Sequence, residues 1–144
     1  MDAEYEVILT PVDGSEFAEK AFQKAVRIAK LNNAKLVLAH IIESPSPAMV
    51  KQYEQHLIDQ TKEDTQKILD EYVKVAKEEG LQDVESVVKF GKTKVEISET
   101  LAAAYQADLI IVGAKGKSAI ERMLIGSVSE YIMRHAEIDV LIAR

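Results

Sequence analysis

The sequence contains no cysteine and no tryptophan. Without thiols there is no disulfide framework and no thiolate metal site, which suits a reducing cytoplasm. Proline is scarce, and two of the three fall together in Ser44-Pro45-Ser46-Pro47, a segment that interrupts regular structure. Positive charge is in the minority, with 18 Lys and Arg against 24 Asp and Glu, a net charge of −6. With a pI near 5.1, non-specific binding to nucleic acid or to an anionic membrane is disfavoured. No apolar run approaches the roughly 18 residues of a membrane span. The acidic start, Met1-Asp2-Ala3-Glu4, runs directly into a strand pattern, so no signal peptide is expected. What is left is a chain 47% hydrophobic and 29% charged, an ordinary globular composition. Its 144 residues suffice for one domain, 1–144, able to bury roughly two-thirds of the unfolded chain's surface.

Five short apolar runs alternate with helical patterns. Strands are expected at 5–12, 35–42, 84–90, 109–112 and 139–143. Helices are expected at 16–31, 93–105 and 127–135, the first with Phe17, Ala21, Phe22, Ala25, Ile28 and Ala29 inward. Residues 48–79 are also helical in pattern, with a break or an overhanging first part expected near 54–62. A single straight helix of that length would run about 48 Å at ~1.5 Å per residue, longer than such a domain is wide. Ile68, Leu69, Tyr72, Val73 and Ala76 form its apolar side, and Gly80 its C-cap. Thr93 with Glu96, and Ser127 with Glu130, read as capping boxes. Such alternation implies an α/β fold, a Rossmann-like doubly wound parallel sheet of order 3-2-1-4-5 with helices on both faces. No internal repeat or second domain is evident.

Three of the six glycines lie within 14 residues: Gly113-Ala114-Lys115-Gly116, nine residues, then Gly126-Ser127-Val128-Ser129. This pattern opens where a strand ends and closes where a helix begins. Backbone N–H groups converge on an anion only where side chains leave room, and a helix N-terminus adds about half a positive charge. Lys115, Lys117 and Arg122 make a local basic cluster beside it. In the expected strand order the crevice lies between strands 1 and 4. Strand 1 ends there in Thr10-Pro11-Val12-Asp13-Gly14-Ser15.

Asp13-Gly14-Ser15, His40-Ile41-Ile42, the Gly-x2-Gly-x9-Gly-Ser pattern and Arg134-His135-Ala136 together resemble the universal stress protein family over essentially the whole chain. The resemblance implies the ATP-binding subclass, a homodimer through the last strand at 139–143, and a regulatory or stress-response role. It places Pro11, Val12 and Asp13 near adenine and ribose, and Ile41 on the adenine with backbone hydrogen bonds to the base. Val112, Gly113 and Gly116 would let the loop pass ribose and phosphates, with Lys115 offsetting charge. Gly126, Ser127, Val128 and Ser129 would cradle phosphates through N–H and hydroxyl groups. The ligand implied is ATP, with Mg or Mn. Asp139 departs from the family pattern, which has a proline there, and this bears on the rigidity of that loop and on the dimer edge.

Structural roles compete at each position. Ser127 serves as an N-cap in either reading, Asp13 as a helix cap with Glu16, and Ser15 as a cap or turn residue. His40 reads as a packed, hydrogen-bonded core residue, and His56 and His135 as surface residues without metal-ligand spacing. Gly113-Ala114-Lys115-Gly116-Lys117-Ser118 ends like a Walker A loop but has two residues between its glycines where that loop has four. No general base accompanies the loop, so no catalytic residue is assigned and at most slow hydrolysis is expected. The alternative is a small nucleotidyl or phosphoryl transferase, or slow ATPase, on the same fold. A receiver domain is disfavoured because strand 3 ends in Lys89-Phe90-Gly91 without an aspartate. Valine at Gly113 and Gly126 is expected to abolish binding while leaving the fold. Partners other than ATP and a second copy, such as a further protein, are not specified by the sequence.

Overall fold

The five apolar runs form five parallel strands: β1 Val7–Pro11, β2 Lys35–Ile42, β3 Val84–Phe90, β4 Leu109–Gly113 and β5 Asp139–Ala143. The computed structural model describes residues 4–43, 55–116 and 124–144. The sheet order is β3-β2-β1-β4-β5, as the sequence predicts. Both faces are covered, which is why the central strands β1 and β4 are almost continuously apolar rather than alternating, while the outer strand β3 carries Glu85, Ser86 and Lys89. Ile8, Leu36, Leu38 and Ile111 pack beneath α1 (Glu16–Asn32) and α2 (Gln55–Glu78). Leu9, Val37, Ile41 and Ile110 pack on the opposite face with α3 (93–104) and α4 (Ser127–His135).

The helices differ from expectation in detail. α1 buries Ala18, Ala21, Phe22, Ala25, Val26 and Ala29, so its inward face is rotated from the one expected and Phe17 and Ile28 are half-buried. Its N-cap is Ser15, whose side chain accepts from Ala18 N–H at 3.1 Å. α2 is continuous from Gln55, so no break falls between 55 and 62. Residues 44–54 lie outside the described residues. Leu69 and Ala76 are its buried anchors, while Ile68 faces outward at 58% exposure. At its end Gly80 adopts φ 109°, and Leu81 N–H reaches back to Ala76 O at 3.2 Å.

α3 is built of three consecutive pieces: Thr93–Val95, a π-helical stretch Glu96–Leu101, and Ala102–Ala104. Ser98 Oγ donates back to Lys94 O at 2.6 Å within it. Neither expected capping box forms. Lys92 occupies the extended position before α3, and Glu96 instead pairs with Lys89 at 2.8 Å. Before α4 the extended residue is Gly126 (φ −80°, ψ 164°), which makes Ser127 the first helical residue, and Glu130 pairs with Arg134 at 3.0 Å.

Candidate functional site

The sheet opens between β1 and β4. Their ladder is short, Ile8 opposite Leu109 and Leu9 opposite Ile110, whereas β1 stays paired with β2 through Pro11 opposite Ala39. Pro11 supplies a physical reason. Glu6 O and Val12 N face β2, bonded to Lys35 N and Ala39 O at 2.9 Å each. Alternation therefore turns Pro11 toward β4, where it has no N–H to give. The strands end separately, and a cleft of about 380 Å³ lies beyond them, within the ~300–1,000 Å³ range of small-molecule sites.

One wall follows β1. Asp13 Oδ1 accepts Ser15 N–H at 2.9 Å, and Gly14 takes φ 81°, so the chain turns at once into α1. That turn leaves Asp13 Oδ2 facing the β4 loop, 3.4 Å from where a Cβ on Gly116 would stand. The two polar loops that the sequence assigns to one crevice are thus opposite each other. His40 Nδ1 lies 2.7 Å from Val12 O, and a carbonyl acceptor requires the proton on that nitrogen. The contact fits the expected hydrogen-bonded histidine, although His40 is half-buried and borders the cleft.

The opposite wall follows β4. Gly113 is glycine for a packing reason: a Cβ there would stand 2.6 Å from Phe17 O. A valine would therefore disturb the fold, contrary to expectation. Gly116, with no left-handed backbone and a 3.4 Å clearance, is the glycine that opens the cleft. Gly126 N–H donates to Ala114 O at 2.6 Å, and a Cβ on Gly126 would meet Lys115 Cα at 3.3 Å. Ser129 is buried, and its hydroxyl donates to Gly113 O at 2.6 Å, so it is not a donor toward the cleft. Lys115 Nζ lies 5.5 Å from the Phe17 ring centroid. Lys117 and Arg122 lie outside the described residues. The first intrahelical bond of α4 runs from Glu130 N–H to Gly126 O, so helix geometry gives the N–H groups of Ser127, Val128 and Ser129 no intrahelical partner.

Pro11, Val12, Asp13, Ile41, Val112, Gly113, Lys115, Gly116, Val128 and Ser129 all border the cleft, while Gly126 and Ser127, at the start of α4, do not line it. Sequence reasoning missed Glu43 and Thr93, which close the cleft on the β2 side. Glu43 Oε1 accepts Thr93 N–H at 2.8 Å. Their position at a strand end and a helix start was the available signal. Among the described residues, no group of three or more His, Asp or Glu is placed to hold a metal ion, and no helix is long and apolar enough to cross a membrane.

A family model described as the universal stress protein family matches residues 4–144. The chain belongs to the universal stress protein family. A Staphylococcus aureus (strain USA300) relative that bears the universal stress protein name is 42% identical over 140 residues, covering 97% of this chain and 84% of its own. Among solved structures, the universal stress protein UspA of Lactobacillus plantarum matches at TM-score 0.85 and 26% identity, over 99% of this chain and 100% of its own. A universal stress protein crystallised in complex with cAMP matches at TM-score 0.69 and 31% identity, over 97% of each chain. In this universal stress protein the sheet, the crevice and the two facing loops all lie within the matched span.

Proposed function

We propose that this universal stress protein is a regulatory, stress-response protein of the cytoplasm that holds ATP in the β1/β4 cleft. The observation that carries the reading is Asp13 facing Gly116 across the opening, with the α4 N-terminus behind the glycine loop. The cAMP complex of a 31% identical relative supports an adenine nucleotide. Phosphates fit the Gly116 loop and the N–H groups of Ser127, Val128 and Ser129, where the helix dipole favours negative charge. Asp13 suits ribose hydroxyls, which donate to a carboxylate, and Val12 and Ile41 offer apolar contact for the base. A Mg or Mn ion would be held chiefly by the phosphate oxygens, since no preformed acidic cluster exists among the described residues. With the Ser129 hydroxyl engaged on Gly113 O, that group is not free to position a water, and efficient turnover is not expected.

Mass spectrometry of small molecules released from freshly purified protein tests this reading. ATP in the extract is expected. No released nucleotide, together with no thermal stabilisation of the folded protein by millimolar Mg-ATP, would overturn it. The second part of the proposal is a homodimer. Val140, Leu141 and Ile142 are only half-buried on an edge strand, and a second copy would cover them. Sedimentation at micromolar concentration is expected to give twice the chain mass; a monomer mass contradicts it.

A further inference from the structure

We propose that His40 is a positioning residue for the nucleotide cleft: its side chain ends the β1/β2 ladder at Val12 and so sets the Asp13 carboxylate opposite Gly116. This rests on the nucleotide reading above and adds to it a residue that acts through Asp13, wherever the base and the phosphates lie. In a parallel ladder, a residue that donates its N–H to one carbonyl of the neighbouring strand accepts from the N–H two residues further along that strand. Val12 N–H donates to Ala39 O at 2.9 Å, so a continuing ladder would bring Ile41 N–H to Val12 O. Among the described residues that bond is not made, and the register of β1 with β2 stops at Pro11 opposite Ala39. Val12 O is taken instead by the His40 side chain, with Nδ1 at 2.7 Å.

This exchange of donors lets the chain leave the sheet. Val12 is buried, so its carbonyl needs a partner, and His40 supplies one without drawing the next residue along β2. The turn follows at once: Asp13 Oδ1 accepts Ser15 N–H, Gly14 takes φ 81°, and Asp13 Oδ2 is left facing Gly116. On the other side the β1/β4 register ends at Leu9 opposite Ile110, so the last ladder contacts of β1 are with β2. Without a donor at position 40, Val12 O is open to Ile41 N–H, β1 lengthens along β2, and Asp13 is drawn out of the crevice. The carbonyl acceptor also fixes the neutral imidazole as the Nδ1–H tautomer.

Calorimetric titration of Mg-ATP into wild type and two variants tests this. His40→Leu keeps an apolar bulk but has no donor, and it is expected to bind at least about tenfold more weakly than wild type. His40→Asn places an amide N–H donor where Nδ1 stands, and it is expected to bind within about threefold of wild type. A role in packing alone gives the opposite order, since leucine fills apolar surroundings better than asparagine. Unaltered affinity in His40→Leu overturns the proposal, and so does a loss in His40→Asn as large as that in His40→Leu. If His40→Leu does not fold, nitrogen NMR of the wild-type imidazole, recorded above the ordinary histidine pKa of about 6.5, takes its place. The Nδ1–H tautomer is expected there, and the Nε2–H tautomer overturns the proposal. Binding of no nucleotide by folded wild type overturns the functional reading beneath it, whereas binding by wild type and His40→Leu alike overturns the role of His40 alone.

Discussion

At the scale of single residues, small groups at the β4 end hold backbone in place. Ser129 is 2% exposed, and its hydroxyl supplies the hydrogen bond that β1 does not give to Gly113 O. Ser129→Ala is expected to cost about 1–3 kcal/mol, the range for a buried acceptor left without its donor. Urea unfolding checks this, and an unchanged midpoint contradicts it. Thr10 is the counterexample, fully buried with no hydrogen-bond partner for Oγ1 among the described residues. The strand-end rule and the glycine spacing single out the loops after β1 and β4, whereas the individual residues expected at the site, Ile41 among them, follow from the family resemblance. Residue roles were harder to read. The sequence marks Gly113, Ser127 and Ser129 as small or hydroxylic, but it does not show that Phe17 O crowds Gly113 or that Ser129 turns away from the cleft. Those facts depend on how α1 and α4 seat on β4, and no local pattern encodes that.

At the scale of elements, strands and helix starts follow from what the chain can bury and cap. β2, β3 and β5 have the expected boundaries because polar residues bracket each apolar run. Caps were less legible, since several Ser, Thr and Asp residues compete for one position. At α1 the position goes to Ser15, while Asp13 holds the preceding turn by accepting Ser15 N–H. Ser15→Ala is therefore expected to cost about 1 kcal/mol by losing the bond to Ala18 N–H. Asp13→Ala would remove both the turn contact and the carboxylate facing Gly116. Thermal melts of Ser15→Ala check the first value, and a melt unchanged from wild type contradicts it. The π-helical turn of α3 had no signature in the apolar period, because Ile97 and Leu101 are spaced as in any α-helix.

At the scale of the whole molecule, contacts far apart in sequence tie the end of the sheet opposite the cleft. Tyr5, just before β1, donates its hydroxyl to Asp139 Oδ2 at the start of β5, at 2.8 Å. Asp139 thus anchors the start of β5 where the family pattern has a proline. That hydrogen bond, aided by partial burial, pushes the Tyr5 pKa from 10.0 up to about 12. The folded state holds the phenol proton more tightly than the unfolded one. The contribution is therefore complete below pH 10.0 and is lost as pH rises through about 12. The stability advantage of wild type over Tyr5→Phe is expected to shrink across that interval in urea midpoints; a constant difference contradicts it.

The central claim concerns the other end of the sheet, where two loops face each other across a crevice that Pro11 helps to open. Calorimetric titration of Mg-ATP into wild type and Gly116→Val tests it most directly. A Cβ at position 116 stands 3.4 Å from Asp13 Oδ2, an ordinary contact, and the valine methyls extend beyond it, so the fold is expected to survive while the cleft is filled. Saturable binding by wild type, weakened at least about tenfold in a variant with an unchanged circular dichroism spectrum, is the predicted result. No heat of binding to well-folded wild type, or equal affinity in both proteins, would contradict it.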